Sequence, residues 1–115
     1  AGAWEAKKAE IRAATARGQP IEGMKAVMQE LRGFSAQYQV ISFSIDTSNF
    51  YSNPAAFGLA LKAVGGAAAA EAVARFGEIL AERGSIFLTL SQPARALQDL
   101  EAAAEMHDGL DSVAL

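Results

Sequence analysis

Apolar residues recur at helical spacing through most of the chain, and the longest such pattern runs from Gly66 to Gly84. Within it, Val73, Phe76 and Leu80 follow one another at intervals of three and four residues. Such intervals return to the same side of an α-helix, so the pattern predicts one long helix. Gly84 is expected to end it as a left-handed cap. We expect the other elements to pack around this helix.

Four further segments share the helical periodicity. Gly18 and Pro20 separate the first two, because glycine commonly ends a helix and proline is tolerated in a first turn. Gly33 is expected to end the second of them. Pro54 begins the next segment, and Ser91 is predicted to be the N-cap of the last. The four predicted helices are 3–17, 20–32, 54–64 and 92–107.

Two segments fit both a helix and a strand. In residues 34–45, Phe34 and Ile41 fall on one helical face, but Ile41, Phe43 and Ile45 also alternate with serines. Residues 85–90 are too short to decide. Helix is favoured for the longer segment, because an isolated strand leaves its backbone groups unsatisfied. The prediction for residues 1–115 is one all-α domain of about five helices, with a two-stranded element from 38–45 and 85–90 left open.

Residues 46–53 are predicted to form a loop, since Asp, Thr, Ser and Asn side chains bond to nearby backbone groups and compete with helix. Phe50 and Tyr51 lie inside this polar segment. Adjacent aromatic residues in a loop either fix it to the core or contact a partner, and the first interpretation is favoured because buried aromatics contribute strongly to stability. The candidate contact residues of the loop are Asn49, Phe50, Tyr51 and Asn53.

Composition narrows the class of protein. The absence of cysteine excludes disulfides, thiolate metal sites and cysteine nucleophiles. No apolar run approaches the roughly 18 residues needed to span a bilayer, and no charged-then-apolar leader is seen at the start. We therefore expect a soluble, cytoplasmic protein that does not bind membranes.

Charge is distributed unevenly along the chain. Residues 1–62 contain seven Lys and Arg and five acidic residues, whereas residues 63–115 contain three Arg and eight acidic residues. An acidic half argues against direct nucleic-acid binding and is more compatible with a partner protein that has a basic surface. The alternative is an ordinary solvated face. The candidate partner-binding residues are Glu71, Glu78, Glu82, Asp99, Glu101, Glu105 and Asp108.

Few residues suit catalysis near neutral pH. The single histidine, His107, lies beside a predicted helix C-terminus, which is typical of an exposed residue that interacts with the helix dipole. Gly65 and Gly66 lack the lysine and further glycines of a phosphate-binding loop. Glu101, Glu105 and Asp108 could hold a hard cation only weakly. We expect no enzyme activity, no metal and no cofactor.

Two functions of different classes remain. The first is a non-catalytic protein-interaction module, such as a regulator, an inhibitor or an immunity-type protein, that binds through the acidic residues above. In the last predicted helix, Leu97, Leu100 and Ala104 are expected to face the core. The second is a helical bundle that binds an apolar small molecule, because methionine and aromatic side chains adapt to such ligands. Its candidate residues are Met24, Met28, Phe43, Phe50, Tyr51 and Phe57.

The stretch Phe50-Tyr51-Ser52-Asn53, followed by Leu61-Lys62-Ala63-Val64-Gly65, resembles the motif of a family of small bacterial helical proteins that includes a DNA-mimic protein. Leu110-Asp111 is similar to a pair near the end of that family. The chain departs from the motif at Ile45-Asp46-Thr47-Ser48, where the family has Asn-Gly-Gly-Phe. The resemblance spans residues 46–111. It implies inhibitory binding to a DNA-binding protein, with acidic side chains in place of phosphates.

Overall fold

Four helices make up the two long stretches of the chain that can be described. The computed structural model describes residues 2–39, 54, 55, 58, 63 and 66–114, and these residues contain no strand. The all-α prediction is therefore confirmed for this part of the chain, which forms a compact globule. The helices are α1 (Gly2–Ala16), α2 (Pro20–Gln39), α3 (Gly66–Thr89) and α4 (Pro93–Ala114).

The helix at the centre is α3, which packs against each of the other three. Its apolar face is fully buried at Phe76, Ile79 and Leu80. The ring of Phe76 stacks on Phe34 of α2, with centroids 5.4 Å apart. Burying a side chain of this size contributes roughly 1.5–3 kcal/mol. The prediction that this segment organises the fold is confirmed.

The predicted end of α3 at Gly84 is wrong, because the helix continues to Thr89. Residues 85–89 are helical, so the strand alternative for 85–90 is wrong as well. A Cβ atom on Gly84 would lie 3.0 Å from Cγ of Leu100 and 3.3 Å from Cβ of Asp99. The glycine lets α4 approach α3 closely, and its role is packing rather than capping.

The second helix also passes through its predicted stop, because α2 continues beyond Gly33 to Gln39. Leu31 and Phe34, on either side of this glycine, are both buried against the core. Packing of these side chains outweighs the helix propensity of one glycine, which costs about 1 kcal/mol. Residues 34–39 are thus helical as favoured above, and residues 40–45 lie outside the described part.

Two helices end in the same hydrogen-bonded arrangement. At the end of α1, Gly18 has a φ of +76°, and the amides of Gly18 and Gln19 donate to the carbonyls of Thr15 and Ala14 at 3.0 and 2.9 Å. This is a Schellman motif, in which a left-handed residue satisfies the last carbonyls of a helix. The predicted stop at Gly18 is confirmed.

A serine takes the corresponding position at the end of α3. Ser91 has a φ of +60°, and the amides of Ser91 and Gln92 donate to the carbonyls of Leu88 and Phe87. The predicted N-cap role of Ser91 is therefore wrong, because this residue ends α3. The amide of Ala96 donates to the carbonyl of Gln92 at 3.0 Å, so the N-cap of α4 is Gln92.

Replacement of Ser91 by glycine is expected to raise the free energy of unfolding by about 1 kcal/mol, because glycine adopts a left-handed conformation without a Cβ clash. Urea-induced unfolding followed by circular dichroism measures the change. Ser85→Gly is the matched control on the exposed side of α3, and it should lower stability by about 0.5 kcal/mol. Equal effects of the two substitutions would contradict the assigned conformation of Ser91.

The last helix is rotated relative to the prediction. Leu97 is 57% exposed and Ala104 is also exposed, so the expectation that these residues face the core is wrong. Leu100 is also partly exposed, whereas Asp99, which as a predicted partner-binding residue should lie at the surface, is buried. The backbone continues past the predicted end at His107 to Ala114. The core-facing residues of α4 are Ala96, Asp99, Ala102, Ala103 and Met106.

Between α2 and α3 the structure describes four single residues. Pro54, Ala55, Gly58 and Ala63 are helical, and the rest of the predicted helix 54–64 lies outside the described residues. Gly58 is buried against the side chain of Met106. Among the helices of the described part, none combines the length and the apolar character needed to span a membrane.

Candidate functional site

Basic residues of α1 meet acidic residues of α3. Arg12 donates through Nη2 and Nε to Oε1 of Glu82 at 2.6 and 3.0 Å, and Nζ of Lys8 lies 3.4 Å from Oε1 of Glu78. Lys8 and Arg12 are four residues apart in α1, and Glu78 and Glu82 are four residues apart in α3. Each base therefore lies opposite one acid on successive turns of the two helices. Trp4 joins them by donating from Nε1 to Oε2 of Glu78 at 3.2 Å. We call these five residues the α1–α3 seam.

The α1–α3 seam raises the pKa of both of its basic residues, Arg12 and Lys8. The hydrogen bond and the negative charge of Glu82 raise the pKa of Arg12 above its usual value. Desolvation lowers the pKa of Lys8, but the carboxylates of Glu5 and Glu78 outweigh it, and the net change is upward. Both side chains therefore stay charged throughout the physiological range of pH, and the seam is an ion-pair network.

This network uses two of the seven predicted partner-binding residues. Glu82 is only 8% exposed and Glu78 contacts two side chains of α1. Both acids bind basic residues of α1 and not a basic residue of their own helix. Arg75 likewise donates from Nη2 to Oε1 of Glu30 in α2 at 2.7 Å. Two of the eight acids in residues 63–115 are thus paired with basic residues of α1.

A second ion pair is fully buried between α3 and α4. Arg83 donates from Nε to Oδ2 of Asp99 at 2.7 Å and from Nη2 to Oδ1 at 2.8 Å. The exposed fractions are 4% for Arg83 and 1% for Asp99. A bidentate guanidinium–carboxylate pair of this kind fixes both side chains in one orientation. Asp99 therefore presents no carboxylate to a surface partner.

The sequence indicates this buried pair through the positions of Arg83 and Asp99 on apolar stripes, although the distribution of charge along the chain does not. Arg83 follows Phe76 by seven residues and so continues the apolar stripe of α3 by two turns. Asp99 likewise precedes Met106 by seven residues on the buried side of α4. A charged residue that falls on an apolar stripe indicates a buried ion pair, because isolated buried charges are strongly unfavourable.

The buried pair forms the floor of a pocket of about 350 Å³ between α2, α3 and α4. Its walls include Met24 and Met28 of α2, which are two of the residues predicted for an apolar ligand. The aromatic wall is Phe87, and the guanidinium of Arg95 lies 5.8 Å from the centroid of its ring. The lining residues are Met24, Met28, Arg83, Phe87, Arg95, Gln98 and Asp99.

The solvent side of α4 combines apolar and acidic residues. Successive residues of a helix turn by about 100°, so Leu97 lies opposite the buried Asp99 and Met106. On the same side of the helix, Glu101 and Ala104 follow Leu97 by about one and two turns and are exposed, as is Glu105 on the flank. We call this surface the outer face of α4, and it consists of Leu97, Leu100, Glu101, Ala104 and Glu105.

Comparison of the chain with protein-family models, with curated proteins and with solved structures finds no match. Nearly all of the residues that carry the resemblance to the DNA-mimic family fall within 46–65, of which the structure describes only 54, 55, 58 and 63. The resemblance therefore stays a prediction, and the geometry of the described helices carries the functional argument.

The remaining candidate residues are distributed as follows. Glu71 is exposed on α3, and Glu101 and Glu105 are exposed on α4. The side chains of His107 and Asp108 lie outside the described part, as do the loop residues Asn49, Phe50, Tyr51 and Asn53 and the aromatic residues Phe43 and Phe57. Within the described residues, no group of three His, Asp or Glu side chains could hold a metal ion.

Proposed function

We propose that the protein is a non-catalytic protein-interaction module, and that the outer face of α4 binds a partner with a basic surface. One observation carries this proposal: Leu97 is 57% exposed on the side of α4 that faces away from the core, beside the exposed carboxylate of Glu101. Exposed leucines at helical spacing on one helix are typical of an interaction face.

The choice of partner follows from charge. Glu101 and Glu105 lie one turn apart and reinforce each other's negative potential, which attracts lysine and arginine side chains. Leu97 and Leu100 supply the apolar contact area that surface charges alone lack. A phosphate backbone would be repelled, so direct binding of nucleic acid is not part of this function. The partner is a protein whose binding segment combines basic and apolar side chains.

Two further features support a binding role over catalysis. The chain has one histidine and no cysteine, which are the commonest general base and the strongest side-chain nucleophile. Among the predicted acidic residues, Glu78, Glu82 and Asp99 already bind basic residues of the same chain. Of the predicted acids whose side chains the structure describes, the exposed ones are Glu101 and Glu105 on α4 and Glu71 on α3.

Charge reversal of the outer face tests this function. Glu101→Lys/Glu105→Lys should lose capture of a basic partner that the unchanged protein retains from a lysate of the source cells. Binding of the purified partner should weaken steeply between about 50 and 500 mM salt, because exposed charges are screened over this range. Leu97→Asp keeps the face acidic but removes its apolar centre, and it should weaken the same complex.

The matched control is Glu10→Lys/Glu22→Lys, which alters net charge equally at two exposed positions of α1 and α2. This variant should capture the same partner as the unchanged protein, since exposed ion pairs there contribute little to stability. If every captured protein is unaffected by charge reversal on α4 and by salt, the outer face of α4 is not the binding surface.

A further inference from the structure

The pocket between α2, α3 and α4 has a chemistry that the protein-interaction function does not use. We infer that it binds a small organic carboxylate with an apolar body, at a site distinct from the outer face of α4. The inference joins three observations, namely a volume of about 350 Å³, apolar walls and one surplus positive charge. This volume falls in the range of known small-molecule sites.

The apolar walls come from two helices. Met24 and Met28 lie one turn apart on α2, and Phe87 faces them from α3. Methionine side chains are unbranched and polarizable, so they adjust to ligands of different shape. An aliphatic or aromatic ligand body would replace the water that these three side chains now contact, and this displacement drives binding.

The charges of the pocket select an anion. Arg83 and Asp99 form a bidentate pair and cancel one another. Arg95 stands over the ring of Phe87, and the described residues supply no carboxylate for it. The pocket thus has a net charge of about +1 at neutral pH, because arginine is always protonated there. A single carboxylate would balance it, with two parallel hydrogen bonds to the guanidinium.

The alternative ligands fit less well. A cation would be repelled by Arg95, and the ring face of Phe87 already has guanidinium groups of Arg83 and Arg95 within 6 Å. A neutral hydrocarbon would be driven in by the same walls but would leave the charge of Arg95 unused. A dianion would carry more negative charge than the pocket balances. A monocarboxylate is therefore the ligand class that contacts the apolar side chains and also balances the charge of Arg95.

Methionine methyl resonances test the inference directly, because the chain has three methionines in two environments. Met24 and Met28 line the pocket, whereas Met106 is buried in the core and is not among the lining residues, so it serves as an internal reference. Titration of ¹³C-methyl-labelled protein with octanoate should shift the Met24 and Met28 signals and leave Met106 in place. Octylamine, with the same chain and opposite charge, should produce no comparable shift.

Arg95→Gln should weaken octanoate binding about tenfold or more, since a charge-assisted hydrogen bond is lost. Arg32→Gln removes the same charge from an exposed position of α2 and is the matched control. Arg95 is exposed, so its replacement leaves the core intact. The inference is overturned if octanoate shifts neither Met24 nor Met28, if octylamine shifts them equally, or if Arg95→Gln binds octanoate as the unchanged protein does.

Discussion

Replacement of Asp99 by alanine is expected to lower the free energy of unfolding by about 3–5 kcal/mol. The carboxylate of Asp99 is the bidentate partner of Arg83, and both side chains are almost fully buried. Without it, the guanidinium of Arg83 stays in a low-dielectric site with no balancing charge. A loss of this size is a large fraction of the stability of a small domain. Urea-induced unfolding measures it.

A double variant separates the charge effect from lost packing. Arg83→Met/Asp99→Leu replaces both partners by apolar side chains, and such replacements are often neutral or stabilising. We expect the double variant to recover most of the stability that Asp99→Ala loses. If Asp99→Ala costs less than about 1 kcal/mol, or the double variant is no more stable than the single one, the pair is not buried as described.

Replacement of Phe76 by alanine is expected to cost about 3–5 kcal/mol, through loss of burial and creation of a cavity. Phe76 has no exposed surface, and its ring stacks on Phe34 across the interface of α2 and α3. Because α3 contacts every other described helix, a cavity at this position weakens several interfaces at once. Thermal unfolding should show a correspondingly lower melting temperature.

Phe87→Ala is the matched control for this change, since it removes the same ring from a partly exposed wall of the pocket. It should cost markedly less than Phe76→Ala, because solvent already contacts one side of the ring. Equal losses at the two positions would show that the core is not centred on Phe76. A Phe34–Phe76 double-mutant cycle should isolate a coupling of about 0.5–1.5 kcal/mol for the stacked pair.

The seam and the buried pair change the meaning of the chain's charge pattern. From the sequence alone, the acids of α3 are predicted to form a surface that attracts a basic partner. In the folded protein the basic partner of Glu78 and Glu82 is α1, through Lys8 and Arg12. An uneven charge distribution in a sequence can therefore report helix pairing within the molecule as readily as binding between molecules. Only acids that stay exposed, such as Glu101, retain the second interpretation.

The candidate sites were only partly accessible from sequence. The acidic residues of α4 and the methionines of α2 were recognisable by type and spacing. The pocket was not, because its other walls, Phe87 and Arg95, lie about 60 to 70 residues along the chain from Met24 and Met28. Contacts of this kind depend on how α2, α3 and α4 are arranged in space, and periodicity within one helix contains no information on that arrangement.

By itself, the sequence determined the helical class, the limits of α1 with its stop at Gly18, and the central position of the segment beginning at Gly66. These features depend on local periodicity and on backbone preferences, which act over a few residues. The tertiary structure decided which side of each helix is buried. Gly84 packs instead of capping and Asp99 lies inside instead of outside, because the neighbouring helix supplies the atoms that each residue meets.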